Sequence, residues 1–345
     1  MWNEYSRMKI HIFYGFKHEP WGGANQFLKF LKKYFISQNN YESNPQKADI
    51  ILFNSYPFNE EWRFKELIKL KRLNKIIIHR INGPLSIVRG DKVSRLYDDI
   101  LYCFNQLYAD ATIFQSNWSK AQNYRSGLKK NKMEQVILNA TDPTIFRYNQ
   151  RAPDKNKIEI VAISWSKNIK KGFKTYSFLD DNLDFSKYEM IFIGNSPFKF
   201  KNINQIDPIS TTELAKRLSE YDIYLTASID DPCSNSLIEA ISAGLVILAV
   251  NSGGHPEILA ATNSGLLFDD ESVVIQKLEE LVDNFTKFSQ NIKPLSITRI
   301  GDEYIDFFNR VDINKKPTFK KEIKFWTHYS LKKSQLFFER SIRNR

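Results

Sequence analysis

Short, almost continuous apolar runs alternate with helix-like stretches along most of this chain. The first series of runs comprises KIHIFYG, ADIILFNS, KIIIHRI, ATIFQS and MEQVILNA, and the second comprises IEIVAIS, YEMIFIGN, DIYLTAS and LVILAV. Amphipathic stretches such as EWRFKELIKLKRL and TTELAKRL lie between them. Strands without a polar face, separated by helices, are typical of parallel sheets that are covered on both faces. The chain is therefore predicted to be an α/β protein.

The polar, proline-containing segment RYNQRAPDKNK separates the two series of apolar runs. A chain of 345 residues is also long for a single domain. We therefore predict an N-terminal Rossmann-like domain over residues 1–150, a second one over 151–310 and a basic helical tail over 311–345. Two successive arrays of this kind predict two doubly wound domains that face each other across a cleft.

The composition is that of an ordinary globular protein, with 42% hydrophobic and 26% charged residues. Its two cysteines, Cys103 and Cys233, form neither a metal-ligand spacing nor a disulfide framework, which fits a reducing compartment. No stretch approaches the roughly 20 apolar residues of a membrane span, and the start lacks the apolar region of a signal peptide. We expect a cytoplasmic protein.

Positive charge is concentrated at the end of the chain. The net charge is +11, and residues 311–345 contain ten Lys and Arg against three Asp and Glu. A basic tail suggests an anionic partner. Three interpretations stay open: a solvated helix face, a helix that crosses back to the first domain, and a helix that rests on an anionic membrane surface. No recognised nucleic-acid motif accompanies the charge, so nucleic acid is not expected as a partner.

Two successive strand ends of the second series carry polar and glycine residues. Asp230 and Asp231 follow DIYLTAS, and Gly253 and Gly254 follow LVILAV. Ligands of open α/β sheets bind outside the carboxyl ends of the strands, where glycine lets a backbone approach a ligand closely. These two strand ends are therefore candidates for one wall of a binding site.

The helix predicted between these strands, SNSLIEAIS, has three candidate capping residues, Ser234, Asn235 and Ser236. The free N–H groups at its N-terminus suit an anion. A simpler interpretation is that Ser236 and Glu239 form a capping box, and that the glycine pair only makes a turn. Both interpretations are open for each feature alone, although two polar strand ends in succession favour a site.

This segment resembles the donor-nucleotide site of the GT4-like retaining glycosyltransferases, which have the GT-B fold. That family carries an acidic-x7-Glu motif, a small-residue turn, an apolar strand and a GG-x-PE loop. The corresponding features here are Asp231-x7-Glu239, Ala243-Gly244, LVILAV and the loop Gly253–Glu257. The first acid is Asp where the family usually has Glu, and this shorter side chain puts the contact with the sugar, or the choice of sugar, in doubt.

The resemblance extends from about Lys9 to Asp269. WGGA, which contains Gly22 and Gly23, resembles the family's glycine-rich loop near the donor diphosphate. In VAISWSKNIKKGF the family has an Arg and a Lys that bind phosphate. Lys171 matches the Lys, whereas Ser166 stands at the Arg position with Lys167 beside it. Lys167 is expected to supply the missing charge, although a Lys cannot copy the guanidinium fork.

The resemblance implies roles for individual residues and no obligatory metal. Glu239 would accept hydrogen bonds from the ribose, and Asp231 would contact the sugar or its phosphate. The residues implied for catalysis are Asp231, Glu239, His79 and Lys171, and those implied for donor binding are Gly22, Gly23, Lys167, Lys171, Ser234, Asn235, Glu239, Gly253, Gly254 and His255.

The end of KIIIHRI in the first series carries His79, Arg80 and Asn82. The family often places a His near the reacting sugar, and the alternative for His79 is a core or surface histidine. An Arg beside a His and an Asn is an unusual way to end a buried strand. Arg80 and Asn82 are therefore predicted to face the acceptor, where Arg80 would bind a charged group.

The predicted function is transfer of a hexose-type sugar from a nucleotide-sugar donor to a glycan or lipid-linked acceptor with retention of anomeric configuration. The nucleotide sugar is a substrate, and no cofactor is expected. Two alternatives stay open: a sugar-nucleotide epimerase of the same fold, and a non-catalytic glycan- or lipid-binding protein on a decayed transferase scaffold. The Asp at the first acidic position and the Ser at the Arg position leave room for the second alternative.

Overall fold

The computed structural model describes residues 8–17, 23–54, 61–91, 93–152, 157–312 and 316–343. The chain folds as two compact units. Unit 1 comprises Met1–Phe16, Leu31–Ile137 and Gly301–Arg345, and unit 2 comprises Lys17–Phe30 and Leu138–Ile300.

Unit 1 contains a five-stranded parallel sheet. Its strands are β1 (Ile10–Phe13), β2 (Ile50–Asn54), β3 (Ile76–Ile81), β4 (Ala111–Phe114) and β5 (Met133–Val136). Its helices in the first half of the chain are α1 (Gly23–Ser37, whose first turns belong to unit 2), α2 (Glu61–Arg72), α3 (Leu85–Arg89), α4 (Ser94–Tyr108) and α5 (Asn117–Arg125). The five strands lie in chain order across the sheet.

Unit 2 contains a six-stranded parallel sheet. Its strands are β6 (Ile158–Ser164), β7 (Tyr188–Gly194), β8 (Asn204–Ile206), β9 (Ile223–Thr226), β10 (Val246–Val250) and β11 (Gly265–Phe268). Its helices are α6 (Phe173–Asn182), α7 (Thr211–Leu218), α8 (Asn235–Ser242), α9 (His255–Thr262), α10 (Val274–Asp283) and α11 (Phe285–Asn291).

The strand order of unit 2 is β11-β10-β9-β6-β7-β8. The chain places β7 and then β8 on one side of β6. It then crosses to the other side of β6, where it adds β9, β10 and β11 in that order. The winding direction therefore reverses between β6 and β9. In open parallel sheets such a reversal leaves a crevice outside the carboxyl ends of the two strands, because their connections leave toward opposite faces.

Two further helices end the chain. Helix α12 (Ile297–Phe308) begins in unit 2 and continues into unit 1, and helix α13 (Phe319–Arg343) belongs to unit 1, where it packs against α4. Phe325 and Tyr329 of α13 join the core cluster that contains Phe64 and Phe104. The basic tail is therefore anchored by one buried aromatic face.

The prediction of two parallel α/β sheets is confirmed, and all nine predicted strands are present. The strands that the sequence analysis missed are β8 and β11, which lie at the two edges of the second sheet. Strand β8 has three residues and a partly exposed, polar sequence, so it lacks the apolar run by which the others were recognised.

Candidate functional site

A cavity of about 270 Å³ lies at the reversal point of the unit 2 sheet. Its walls are formed after β6, where Ser164 and Trp165 line it, and after β9, where Ser228 and Asp231 line it. Thr211 and Leu214 of α7 close another side. The cavity therefore occupies the crevice that the strand order creates, and the following side chains of unit 2 determine its chemistry.

Lys171 and Asp231 form an ion pair in this cavity, with Nζ of Lys171 3.2 Å from a carboxylate oxygen of Asp231. Burial alone would raise the pKa of Asp231, but Lys171 and His255 hold that pKa below its ordinary value. The Oδ1 atom of Asp231 also accepts a hydrogen bond from the backbone N–H of Cys233 at 3.3 Å. Asp231 is therefore ionised at neutral pH.

Gly172 allows Lys171 to reach Asp231. Lys171 ends a short 3-10 helix, Ile169–Lys171, and Gly172 follows it with a left-handed backbone of φ +81°. A Cβ atom at residue 172 would lie 2.2 Å from the carbonyl oxygen of Ala227. Only glycine lets the backbone after β6 approach the backbone after β9 so closely, so the Lys-Gly pair of the sequence has a steric reason.

The glycine loop supports Asp231 from the other side. Gly253 has a φ of +64°, and a Cβ atom there would lie 2.3 Å from the carbonyl oxygen of Asp231. The backbone N–H of Gly254 donates to the same carbonyl oxygen at 2.8 Å. Neither glycine is among the residues that line the cavity. Their observed role is thus to fix the backbone of Asp231, and their predicted contact with a donor is untested.

Helix α8 points its first turn at the cavity, which Ser234, Asn235 and Ser236 line. Ser234 is the N-cap, and its side chain accepts a hydrogen bond from the backbone N–H of Leu237. Ser236 lies inside the helix and accepts a hydrogen bond from the hydroxyl of Tyr224 at 2.8 Å. The capping box of Ser236 and Glu239 is therefore wrong, because the helix begins two residues earlier.

Glu239 lies one turn into α8 and lines the same cavity. Its exposed fraction is 7%, and burial raises its pKa to about 8. Within the described ranges no hydrogen bond or ion pair involves its carboxyl group, so nothing offsets the cost of desolvating its charge. Glu239 is consequently protonated for the most part at neutral pH and can both donate and accept a hydrogen bond.

His255 is completely buried at the start of α9. Its Nδ1 atom lies 3.0 Å from the carbonyl oxygen of Val250, which assigns the proton to Nδ1. Its Nε2 atom is buried and has no hydrogen-bond partner in the described part of the chain. Burial lowers the pKa of His255, despite the opposing effects of the Asp231 carboxylate and of the hydrogen bond to Val250. His255 lies beneath the site and does not line the cavity.

The predicted phosphate-binding cations differ in their placement. Lys167 is exposed and is not among the lining residues, whereas Ser166 is. Lys170 pairs with Asp230 at 2.5 Å. Of these lysines, Lys171 is the one that lines the cavity. The structure does not support the expectation that Lys167 supplies the charge of the family's Arg, because Lys167 does not line the cavity.

The glycine-rich loop before α1 lies mostly outside the described residues, and this includes Gly22. Gly23 is the first residue of α1. Gln26, in the first turn of α1 and in unit 2, lines the cavity. The sequence analysis did not select Gln26, which lies three residues after Gly23.

His79 is buried in the core of unit 1, with no exposed surface. Its ring stacks on Phe53 at a centroid distance of 5.0 Å, and its Nδ1 atom lies 3.1 Å from the side-chain amide of Asn105. These contacts agree with the core interpretation of His79. A catalytic role would require a ligand to reach a residue that packing encloses.

Arg80 and Asn82 also have internal partners in unit 1. The guanidinium group of Arg80 is fully buried and donates to the hydroxyl of Tyr304 at 3.0 Å and to Oδ1 of Asn54 at 2.5 Å. Oδ1 of Asn82 accepts a hydrogen bond from the side-chain amide of Gln115. The structure places Arg80 within the fold rather than on a surface that an acceptor can reach, because the residue has no exposed surface.

Ser164, Trp165, Ser228 and Thr211 line the cavity and were missed by the sequence analysis. Ser164 and Ser228 were detectable in principle, because each lies at or just beyond the end of a predicted strand, as Asp231 does. Trp165, which directly follows the last residue of β6, carried the same signal, whereas Thr211 carried none. No cluster of three or more His, Cys, Asp or Glu side chains that could hold a metal ion occurs among the residues that the structure describes.

Residues 144–294, which include most of unit 2 and every residue that lines the cavity except Gln26, match the protein family described as glycosyl transferases group 1. Solved structures with the GT-B fold match 87–88% of this chain, and the predicted resemblance to the GT4-like glycosyltransferases is confirmed.

Three GT-B structures illustrate the likeness. Alr3699/HepE of Anabaena, solved in complex with UDP-glucose, is 13% identical, has a TM-score of 0.65, and is matched over 88% of this chain and 100% of its own. Sucrose-phosphate synthase from Thermosynechococcus elongatus is 14% identical, with a TM-score of 0.62 and coverage of 87% and 94%. WaaG, a glycosyltransferase involved in lipopolysaccharide biosynthesis, is 10% identical, with a TM-score of 0.61 and coverage of 88% and 100%.

A comparison of this chain with curated proteins gave no match. Among its described helices, none is long and apolar enough to cross a membrane.

Proposed function

We propose that this protein transfers a hexose-type sugar from a nucleotide-sugar donor to a glycan or lipid-linked acceptor with retention of anomeric configuration. The observation that carries the proposal is the cavity at the β6–β9 reversal point. It combines the Lys171 cation, the N-terminus of α8 and the Glu239 carboxyl group, which has no partner in the described structure. These are the groups that a diphosphate and a ribose require.

Departure of the leaving group places negative charge on a nucleoside diphosphate. Lys171 and the first residues of α8 line one cavity, so the ammonium group and the free N–H groups at this helix N-terminus would stabilise that charge. We therefore expect transfer without an obligatory divalent metal. The test is activity in the presence of a chelator: complete loss, restored by Mg²⁺ or Mn²⁺, would overturn the expectation.

Glu239 is suited to the ribose hydroxyls. Its carboxyl group is neutral for the most part and open to the cavity, so it can donate one hydrogen bond and accept another. Two vicinal hydroxyls would give the Glu239 carboxyl group hydrogen-bond partners, which it lacks among the described residues. These hydrogen bonds would offset the free-energy cost of burying the Glu239 carboxyl group without a partner, and the gain would contribute to donor affinity.

Asp231 would face the sugar. It is ionised, and the backbone contacts of Gly253 and Gly254 hold it in place. Transition states of glycosyl transfer carry positive charge on the sugar ring, which a fixed carboxylate stabilises.

The neighbours support the donor class. Alr3699/HepE was solved with UDP-glucose and with UDP and glucose, and the pneumococcal O-GlcNAc transferase GtfA, at a TM-score of 0.56, was solved with UDP and GlcNAc. WaaG takes part in lipopolysaccharide biosynthesis. We accordingly propose a role in surface glycan assembly, at the cytoplasmic face of a membrane where the acceptor is lipid-linked.

The first experiment is titration calorimetry of UDP-, dTDP-, GDP- and ADP-sugars against the wild type, Glu239→Ala and Glu239→Gln. We expect one donor class to bind the wild type and to lose at least tenfold affinity with Glu239→Ala. Glu239→Gln should lose less, because the amide keeps a donor and an acceptor. Glu279→Ala, on the exposed side of α10, is the control. Equal binding by all variants would remove Glu239 from the site.

Product analysis then separates transfer from the other activities of this fold. Incubation of the donor with and without a glycan acceptor, followed by proton NMR of the anomeric centre, should show a new glycoside with the donor's configuration only when the acceptor is present. Epimerised donor without acceptor would show an epimerase. Donor binding without any product, across a broad acceptor screen, would show a binding protein.

A further inference from the structure

The outward face of helix α13 carries an apolar stripe that the fold does not cover. Five of its large hydrophobic side chains are exposed, with exposed fractions of 80% for Phe319, 69% for Phe337 and 65% for Phe338. The other two are Ile323 and Leu331. In the described part of the chain, twelve large hydrophobic side chains are exposed, so this single helix of 25 residues holds nearly half of them.

These five side chains share one side of the helix. An α-helix turns about 100° per residue, so they fall within an arc of about 120°. The buried residues Phe325, Tyr329 and Leu336 lie on the opposite side. The exposure is therefore a property of a continuous face and not of scattered surface residues, which alone need no explanation.

The inner face holds α13 firmly on unit 1. Phe325 contacts Phe64 and Phe104 with ring centroids 5.3 and 5.8 Å apart. Lys332 pairs with Asp99 of α4 at 2.8 Å. The stripe is thus displayed from a helix that is already folded and docked, which means that a partner would not need to order it first.

The polar groups on the outer face are cations and hydroxyls. Lys320 is exposed within the same arc, and the exposed Lys324 lies about 20° beyond its edge. Thr327, Ser330 and Ser334 fill the spaces between the apolar side chains. The sequence around them adds to the charge, since residues 311–345 carry ten cations and three acids. A second copy of this chain would bring like charges together across such a face, so charge complementarity favours an anionic occupant.

We propose that the outer face of α13 is a docking surface for an anionic lipid bilayer. A helix with bulky apolar residues and lysines on its free face lies in the plane of the interface. Its apolar side chains enter the headgroup region, and its ammonium groups contact lipid phosphates. Because α13 is packed on unit 1 and is not apolar enough to cross a bilayer, it would hold the protein peripherally.

The test is sedimentation of the full chain with vesicles of phosphatidylcholine alone and with 30% phosphatidylglycerol, at about 50 mM salt. We expect binding to the anionic vesicles only. Phe337→Ser/Phe338→Ser should weaken it at least tenfold. Lys320→Gln/Lys324→Gln should weaken it about 25-fold, since each cation near such a surface contributes about fivefold.

Matched controls change exposed apolar side chains and exposed lysines elsewhere on unit 1. Ile36→Ser/Leu73→Ser removes two other exposed apolar side chains, and Lys129→Gln/Lys130→Gln removes two other exposed cations. Both should bind vesicles as the wild type does. Melting temperatures of all variants in the absence of lipid establish that each is folded.

Three results would overturn the proposal. The first is no binding of the wild type to anionic vesicles at low salt, and the second is equal loss in the control variants. The third is a concentration-dependent dimer in analytical ultracentrifugation that Phe337→Ser/Phe338→Ser abolishes, which would assign the face to a second copy of the chain. None of these assays uses a sugar donor, so they are independent of the proposed glycosyl transfer.

Discussion

The Nζ atom of Lys171 lies 3.2 Å from a carboxylate oxygen of Asp231, although 60 residues separate them in the chain. The pair joins the segments after β6 and β9, which are adjacent strands only because the sheet reverses its winding there. Its geometry keeps Asp231 ionised and presents a cation to the same cavity.

Replacing this cation should impair catalysis more than stability. We expect Lys171→Met to lower kcat/KM for transfer by about 10²-fold, because it removes the positive charge nearest to the departing diphosphate. The free energy of unfolding should fall by only about 1 kcal/mol, since the pair is partly solvated. Lys170→Met, which breaks the neighbouring pair with Asp230, is the control and should change kcat/KM less than threefold. Equal losses from the two variants would contradict the assignment.

The buried carboxyl of Glu239 should make stability depend on pH. Its pKa rises from an ordinary value of 4.5 to about 8 in the folded protein, so between these values the folded state binds more protons than the unfolded state. The stability contribution is fully present below about pH 4.5 and is lost as pH rises towards 8, by at most about 1.4 kcal/mol per pH unit.

Urea unfolding at several pH values between 5 and 8.5 tests this prediction. Glu239→Gln cannot ionise, so the free energy of unfolding of the wild type relative to this variant should decline as pH rises within that range. Comparison of the two proteins cancels the contribution of every other titrating group. Parallel curves for the two proteins would show that the pKa of Glu239 is not raised.

A methyl group at Gly253 should displace Asp231. Gly253→Ala places a Cβ atom 2.3 Å from the carbonyl oxygen of Asp231 on a backbone with φ +64°, and we expect a loss of about 1–3 kcal/mol in the free energy of unfolding. Donor binding by calorimetry should weaken with it. Gly254→Ala is a matched control, because its φ of −86° suits any residue. A larger loss of stability from Gly254→Ala than from Gly253→Ala would contradict the prediction that the close approach of Gly253 positions the Asp231 backbone.

Arg80 should behave as a structural residue of unit 1. Arg80→Met leaves Asn54 and the hydroxyl of Tyr304 without their charged donor, and we expect a loss of about 3 kcal/mol or more in the free energy of unfolding. Tyr304→Phe, which removes one of these bonds, should cost about 1 kcal/mol. If Arg80→Met instead kept the wild-type stability and raised only KM for the acceptor, the predicted acceptor-side role would be supported.

The sequence predicted the two sheets because continuous apolar runs leave few alternatives to buried parallel strands. It also located the candidate donor wall, since Asp231 and Glu239 follow one predicted strand and Gly253 follows the next. The same local logic failed for the helix cap: Ser234 and Ser236 are both good N-caps by residue type, and only the path of the backbone after β9 selects Ser234.

What the sequence determined by itself was therefore the order and type of the main elements and the identity of one group of polar residues. Tertiary structure alone decided that Lys171 rather than Lys167 lines the cavity. It also decided that Arg80 is buried against Asn54 and Tyr304, and that burial raises the pKa of Glu239. The physical reason is the distance along the chain over which each property is determined. Strand and helix formation depend on neighbouring side chains, whereas the burial and charge state of a polar group depend on atoms that distant parts of the chain bring to it.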